Sequence, residues 1–177
     1  MVFQTVSGTL TTARCFGLVV SLSAAWLVQP ALAVGNGLAL PPTVACQLLS
    51  GQGLGARGGY RSLGENYECR SRRRPLIGGG QPNNSLQFSA RGTAEFVESV
   101  TLELQVNSRD TVQRAHRQLV DAAQVLLPGA VGQPLPAEAV DAILSAVSGR
   151  WSVAGHTVTL DRVTLGGPDY DLRLRVE

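Results

Sequence analysis

Two histidines, three cysteines, thirteen carboxylates and fifteen basic residues are the groups in this chain that could do chemistry. A zinc centre needs three or four converging ligands. Neither His116 nor His156 has a Cys, Asp, Glu or second His at ligand spacing, so no metal site and no cofactor is expected. His116 is expected half-buried or at the surface, one step off an apolar helical stripe, and His156 exposed in a turn. A serine nucleophile needs a base and an orienting acid, and no Ser lies in a Gly-x-Ser-x-Gly turn. The glycine-rich run 51–59 lacks the Gly-Lys-Ser/Thr ending of a phosphate-cradling loop, so it reads as a flexible connector. Carboxylate pairs such as Glu95/Glu103 and Asp169/Asp171 fall at even spacing, on strand faces expected to be wet. Only Glu98 sits in an apolar alternation, between Phe96 and Val100, where a carboxyl could be held protonated for acid–base work. A β-bulge at that point would remove the oddity. A hydrolase built on this chain would bring Glu98 or His116 against Ser, Asp or Arg.

Arginine is the one reactive type that clusters. Arg70, Arg72, Arg73 and Arg74 fall within five residues. On a regular strand Arg70, Arg72 and Arg74 would share a face. Their forked guanidinium donors suit carboxylate and phosphate, so these four are the candidate partner-binding residues. The competing reading is a solvated strand end whose charge discourages edge-to-edge pairing.

The remaining chemistry is structural. Residues 15–28 form an apolar, small-residue run preceded by Arg14, and Pro30 and Ala31-Leu32-Ala33 follow. That is the pattern of a secretory signal, residues 1–33, cleaved after Ala33. Cleavage removes Cys15 and leaves Cys46 and Cys69, an even pair in a chain sent to an oxidising space. One Cys46–Cys69 disulfide follows, contributing roughly 3 kcal/mol by chain entropy. Every basic residue is Arg, and 14 of them remain against 13 acids, a net charge of +1. A nucleic-acid binder needs a larger basic surplus. The expected location is the periplasm or the medium, with no stable membrane span after cleavage.

The elements that must position these groups follow from periodicity. Residues 34–40 are a Gly-containing leader and 41–177 a single domain. Pro41-Pro42-Thr43 opens a short helix with Val44, Ala45, Leu48 and Leu49 on its buried side. Strands are expected over 67–72, 86–91 and about 94–106, the last two forming a hairpin through Arg91-Gly92-Thr93. Phe96, Glu98, Val100, Leu102, Leu104 and Val106 would share one face of the central strand. Val112, Ala115, Leu119, Ala122 and Leu126 then recur at helical spacing, with Asn107 or Ser108 as cap and Pro128-Gly129 as stop. A second helix from Pro134-Leu135-Pro136 buries Val140, Ile143, Leu144 and Val147 and ends at Gly149. Strands at Trp151-Ser152-Val153, 157–163 and 170–176 follow.

Clean alternation marks a sheet covered on one face. The expectation is a two-layer α+β fold: a mostly antiparallel sheet of about five strands with helices packed on one face, order α-β-β-β-α-α-β-β. The expected function is a non-catalytic binding or accessory protein whose partner is an envelope or extracellular protein or an anionic ligand. A small-ligand carrier with an apolar pocket between helices and sheet is the alternative, and a hydrolase with an unrecognised site the third.

Overall fold

The computed structural model describes residues 37–38, 40–76, 83–166 and 169–177. The expected signal, most of the leader, the glycine triplet at 78–80 and the Gly167-Pro168 part of the last turn lie outside them.

The fold is α+β. α1 (Pro42–Ala45) and a 3-10 turn (Ser50–Gln52) come first. Five strands follow: β1 (Arg61–Leu63), β2 (Asn66–Arg70), β3 (Arg74–Pro75), β4 (Ser85–Gly92) and β5 (Val97–Val106). Helices α2 (Val112–Val131) and α3 (Ala137–Ser145) come next, then β6 (Gly149–Val153), β7 (His156–Gly166) and β8 (Asp169–Val176). The eight strands make one antiparallel sheet in the order β1-β2-β4-β5-β8-β7-β6, with β3 pairing β4 alongside β2. The expected five strands become eight, and the expected order changes with them. β1 was missed because all three of its residues are exposed and carry no apolar alternation. It is a hairpin partner of β2 through Gly64-Glu65, with Gly64 at φ 66°. Trp151-Ser152-Val153 does lie in a strand, closed by Ala154-Gly155, both at positive φ.

One face of the sheet carries the core. Leu86, Phe88, Leu102, Leu104, Leu172 and Leu174 are fully buried on it, beneath Leu119, Leu126 and Ile143 of the helices. Each such side chain contributes about 1.5–3 kcal/mol when taken from water. Cys46 and Cys69 are bonded, Cα to Cα 5.9 Å, and fasten the turn after α1 to β2. Among the described residues no helix is long and apolar enough to cross a membrane.

Several local expectations are corrected. The β4–β5 pairing slips between Arg91↔Ser99 and Gly92↔Val97. Glu98 is the extra residue of that bulge, so it is exposed, Val97 turns inward and Phe96 is 59% exposed. The turn lies at 93–96, where the Thr93 hydroxyl accepts the Phe96 N–H at 3.1 Å. Any side chain at Gly92 would meet the Phe96 carbonyl, its Cβ only 2.1 Å away. α2 passes Pro128 and ends at Gly132, φ 72°. Leu126, Leu127 and Ala130 are buried on both sides of the proline, so packing holds the turn that loses one hydrogen bond. Thr111, not Asn107 or Ser108, stands at the N-cap of α2. α3 stops at Ala146 in the left-handed region, which turns Val147 out to solvent. Val44 is likewise 49% exposed, because α1 ends after one turn.

Candidate anion-binding site

The arginine cluster does not lie on a regular strand. Arg70 pairs with Ser89 and Arg74 with Leu86, so three residues, 71–73, oppose two, Gln87 and Phe88. This is a bulge, and Ser71 makes it. Its N–H donates to the Phe88 carbonyl at 2.8 Å, as in a regular ladder. Its own carbonyl is turned away to accept from the Gln87 side-chain amide at 3.0 Å. The Phe88 N–H is left without its backbone acceptor and takes the Ser71 hydroxyl instead, at 2.9 Å. A single extra residue inverts the facing of everything after it.

The four candidate residues are therefore split in two. Arg70 and Arg73 face the open side of the sheet and are neutralised there. Arg70 and Arg91 both bond Glu68, at 2.6 and 2.9 Å. Burial pushes the Glu68 carboxyl up, but those bonds outweigh it and hold the pKa below the usual carboxylate value. Arg73 bonds Glu103, which Arg173 also approaches while donating to Asp171 at 3.1 Å. Asp171 is 4% exposed, and burial, with Glu103 adding, raises its pKa.

Arg72 and Arg74 sit past the bulge on the other side. With Arg57, Gly53 and Gly55 they line a pocket of about 180 Å³ at the sheet margin. Arg57 was not among the sequence candidates. It comes from the glycine run 51–59, and a fold-back of that run against residues 72–74 leaves no signature in local spacing. The wall carrying Arg57 is firmly built. Leu49 and Leu54 are fully buried, the Ala56 N–H donates to the Cys46 carbonyl at 3.0 Å, and Cys46 is bonded to β2. The expected flexible connector is thus, over 49–57, a hydrogen-bonded turn stapled to the sheet. Arg74 is held by Gln118 of α2 at 3.4 Å, while its Nε is buried without a hydrogen-bond partner. Among the described residues none of the three guanidinium groups forms an ion pair with a carboxylate. No acidic residue occurs in the sequence before Glu65. Arg74 is part-buried and Arg57 and Arg72 are exposed beside it, and three converging cations without counter-charge are what an anion site requires.

The other reactive candidates lie apart from the pocket. His116 is 3% exposed, not half-buried as its spacing suggested. Its Nδ1 is 3.0 Å from the Leu144 carbonyl and its Nε2 2.8 Å from the Tyr170 hydroxyl. The geometry fixes the tautomer: Nδ1–H donates to the carbonyl and the tyrosine O–H donates to Nε2. Burial lowers the His116 pKa, the Leu144 bond works the other way, and Arg162, stacked 4.3 Å over the Tyr170 ring, lowers it further. Glu98, exposed on its bulge, acts on Tyr60, whose pKa is raised by burial and then by Glu98. Among the described residues no three of His, Cys, Asp and Glu are placed to hold a metal ion.

Fold and pocket together define a disulfide-tied α+β domain with a basic recess at the margin of its sheet. The chain belongs to a family of unknown function, DUF6030, whose model matches residues 38–175 and so takes in both walls of the recess. No curated protein and no solved structure matches it.

Proposed function

We propose that this is an exported, non-catalytic binding protein that holds an anionic group of its partner between Arg57, Arg72 and Arg74. The observation that carries the reading is the contrast between the two sets of arginines. Those on the open face are matched with Glu68, Glu103 and Asp171. Those in the recess pair with no carboxylate among the described residues, and the Arg74 Nε, like that of Arg173 on the open face, is buried without a hydrogen-bond partner. Leaving a buried donor unsatisfied costs about 1–3 kcal/mol, a cost that a bound anion would offset. The Cys46–Cys69 bond supports export, since disulfides persist in oxidising compartments. The mature chain enters the periplasm or medium after cleavage at Ala33 in this reading.

The test is capture of partners from the cell envelope by the immobilised mature domain. Three baits are compared: the wild type, Arg57→Ser/Arg72→Ser, and Arg70→Ser/Arg73→Ser. The reading expects the partner to be lost from the first double variant and kept by the second. Equal recovery on all three would remove the recess from consideration.

A further inference from the structure

Resting on that reading, we infer that the recess takes a doubly charged tetrahedral oxyanion, the head of a phosphomonoester, with the ester group projecting into solvent. The first argument is charge and donor number. Three guanidinium groups line the recess, and among the described residues no carboxylate pairs with them. A carboxylate brings one charge and two oxygens, so it would leave two cations unmatched. A phosphomonoester brings −1.5 to −2 charges near neutral pH and three acceptor oxygens, one for each fork.

The second argument is size. The pocket is about 180 Å³, room for one such head and not for a folded chain or a duplex. Glycine at position 53 supplies the left-handed turn of the wall, φ 70°, and a Cβ there would make only ordinary contact with the Arg74 Cδ, 3.6 Å away. The third argument is rigidity. Arg74 is steadied by Gln118. The backbone leading into Arg72 and Arg74 is fixed by Ser71, and the Arg57 wall by the disulfide and the Ala56–Cys46 hydrogen bond. A site already in place spends little binding free energy on ordering itself.

The experiment follows thermal unfolding and titration calorimetry of the mature domain with inorganic phosphate, glycerol phosphate, sulfate and acetate at equal ionic strength. At about pH 7.5 both phosphates and sulfate should bind and raise the melting temperature, while acetate should not. At about pH 5, below the second ionisation of the monoester near 6 and the higher one of inorganic phosphate, both should weaken several-fold and sulfate should hold. Arg57→Ser and Arg72→Ser, both at exposed positions, should each weaken phosphate about tenfold or more. Co-sedimentation with phosphatidylcholine vesicles containing phosphatidic acid, beside binding of soluble glycerol phosphate, would assign the head to a lipid; soluble binding without co-sedimentation would assign it to a free monoester. Acetate matching phosphate, or the Arg57 and Arg72 variants responding like the wild type, would overturn the inference. If phosphate fails while envelope capture still requires Arg57 and Arg72, the ligand class falls and the docking site stands. If capture ignores them too, both fall.

Discussion

Replacing Ser71 with Ala tests whether the bulge is what builds the recess. The Ser71 side chain is almost fully enclosed and its hydroxyl is the acceptor for the Phe88 N–H. Alanine would leave that N–H in the interior with no partner, because the Ser71 carbonyl is already committed to Gln87. An unsatisfied interior donor costs about 1–3 kcal/mol. The lost hydroxyl bond to the Arg72 carbonyl, 3.0 Å, adds a smaller amount at a more exposed position. The expected loss is therefore about 2 kcal/mol, read from urea unfolding of the mature, oxidised domain as a lower midpoint at constant slope. Ser89→Ala, a half-buried serine on the adjoining strand for which no hydroxyl bond is seen, should change stability by no more than about 0.5 kcal/mol. The phosphate-induced rise in melting temperature should shrink in Ser71→Ala and persist in Ser89→Ala. A Ser71→Ala domain as stable as the wild type would refute the account of the bulge.

Three further outcomes follow from other contacts. His116 is held neutral by burial, so the unfolded chain takes up its proton first. Stability should fall as pH drops below about 6.5, and His116→Leu should flatten that slope between pH 5 and 7; parallel slopes would refute the assignment. The Asn84 side-chain oxygen accepts the Asn107 and Ser108 N–H groups, both at 2.8 Å, and its amide donates to the Ser108 carbonyl and the Thr111 hydroxyl. Asn84→Ala should cost about 2–3 kcal/mol in denaturant unfolding, with faster amide exchange at the start of α2. Ala154 is exposed at φ 52° in the two-residue turn joining β6 to β7, so Ala154→Asn should raise stability by about 0.5–1 kcal/mol, seen as a higher melting temperature.

Alternation and helical spacing carried the sequence reading a long way. The single-sided sheet, the stripe from Ala115 to Leu126, the turn at Ala154-Gly155 and the Cys46–Cys69 bond were all readable. The errors of facing along the strands share one cause. A period of two continues through a bulge on paper but inverts in space. Glu98 in an apolar alternation marked the slip opposite Gly92, and the β-bulge weighed there is present, but the alternation still placed Phe96 inward when the bulge turns it out. The slip at Ser71 also left a mark: Cys69 and Leu76 both face the core, yet they are seven residues apart, an odd number that a regular strand cannot accommodate. Arg57 was out of reach for another reason, since only tertiary folding brings it beside Arg72 and Arg74. His116 was misjudged because its partners, Tyr170 and the Leu144 carbonyl, come from distant elements that make an interior position tolerable.

The place of β8 has a consequence for how the molecule is made. It follows β7 in the sequence, yet it lies between β5 and β7 and hydrogen-bonds to both. Until residues 169–176 are in place, β5 and β7 are joined by no strand pairing, and the two strand edges that β8 closes stay open. The sheet from β1 to β6 can therefore close into one piece only once β8 has been made.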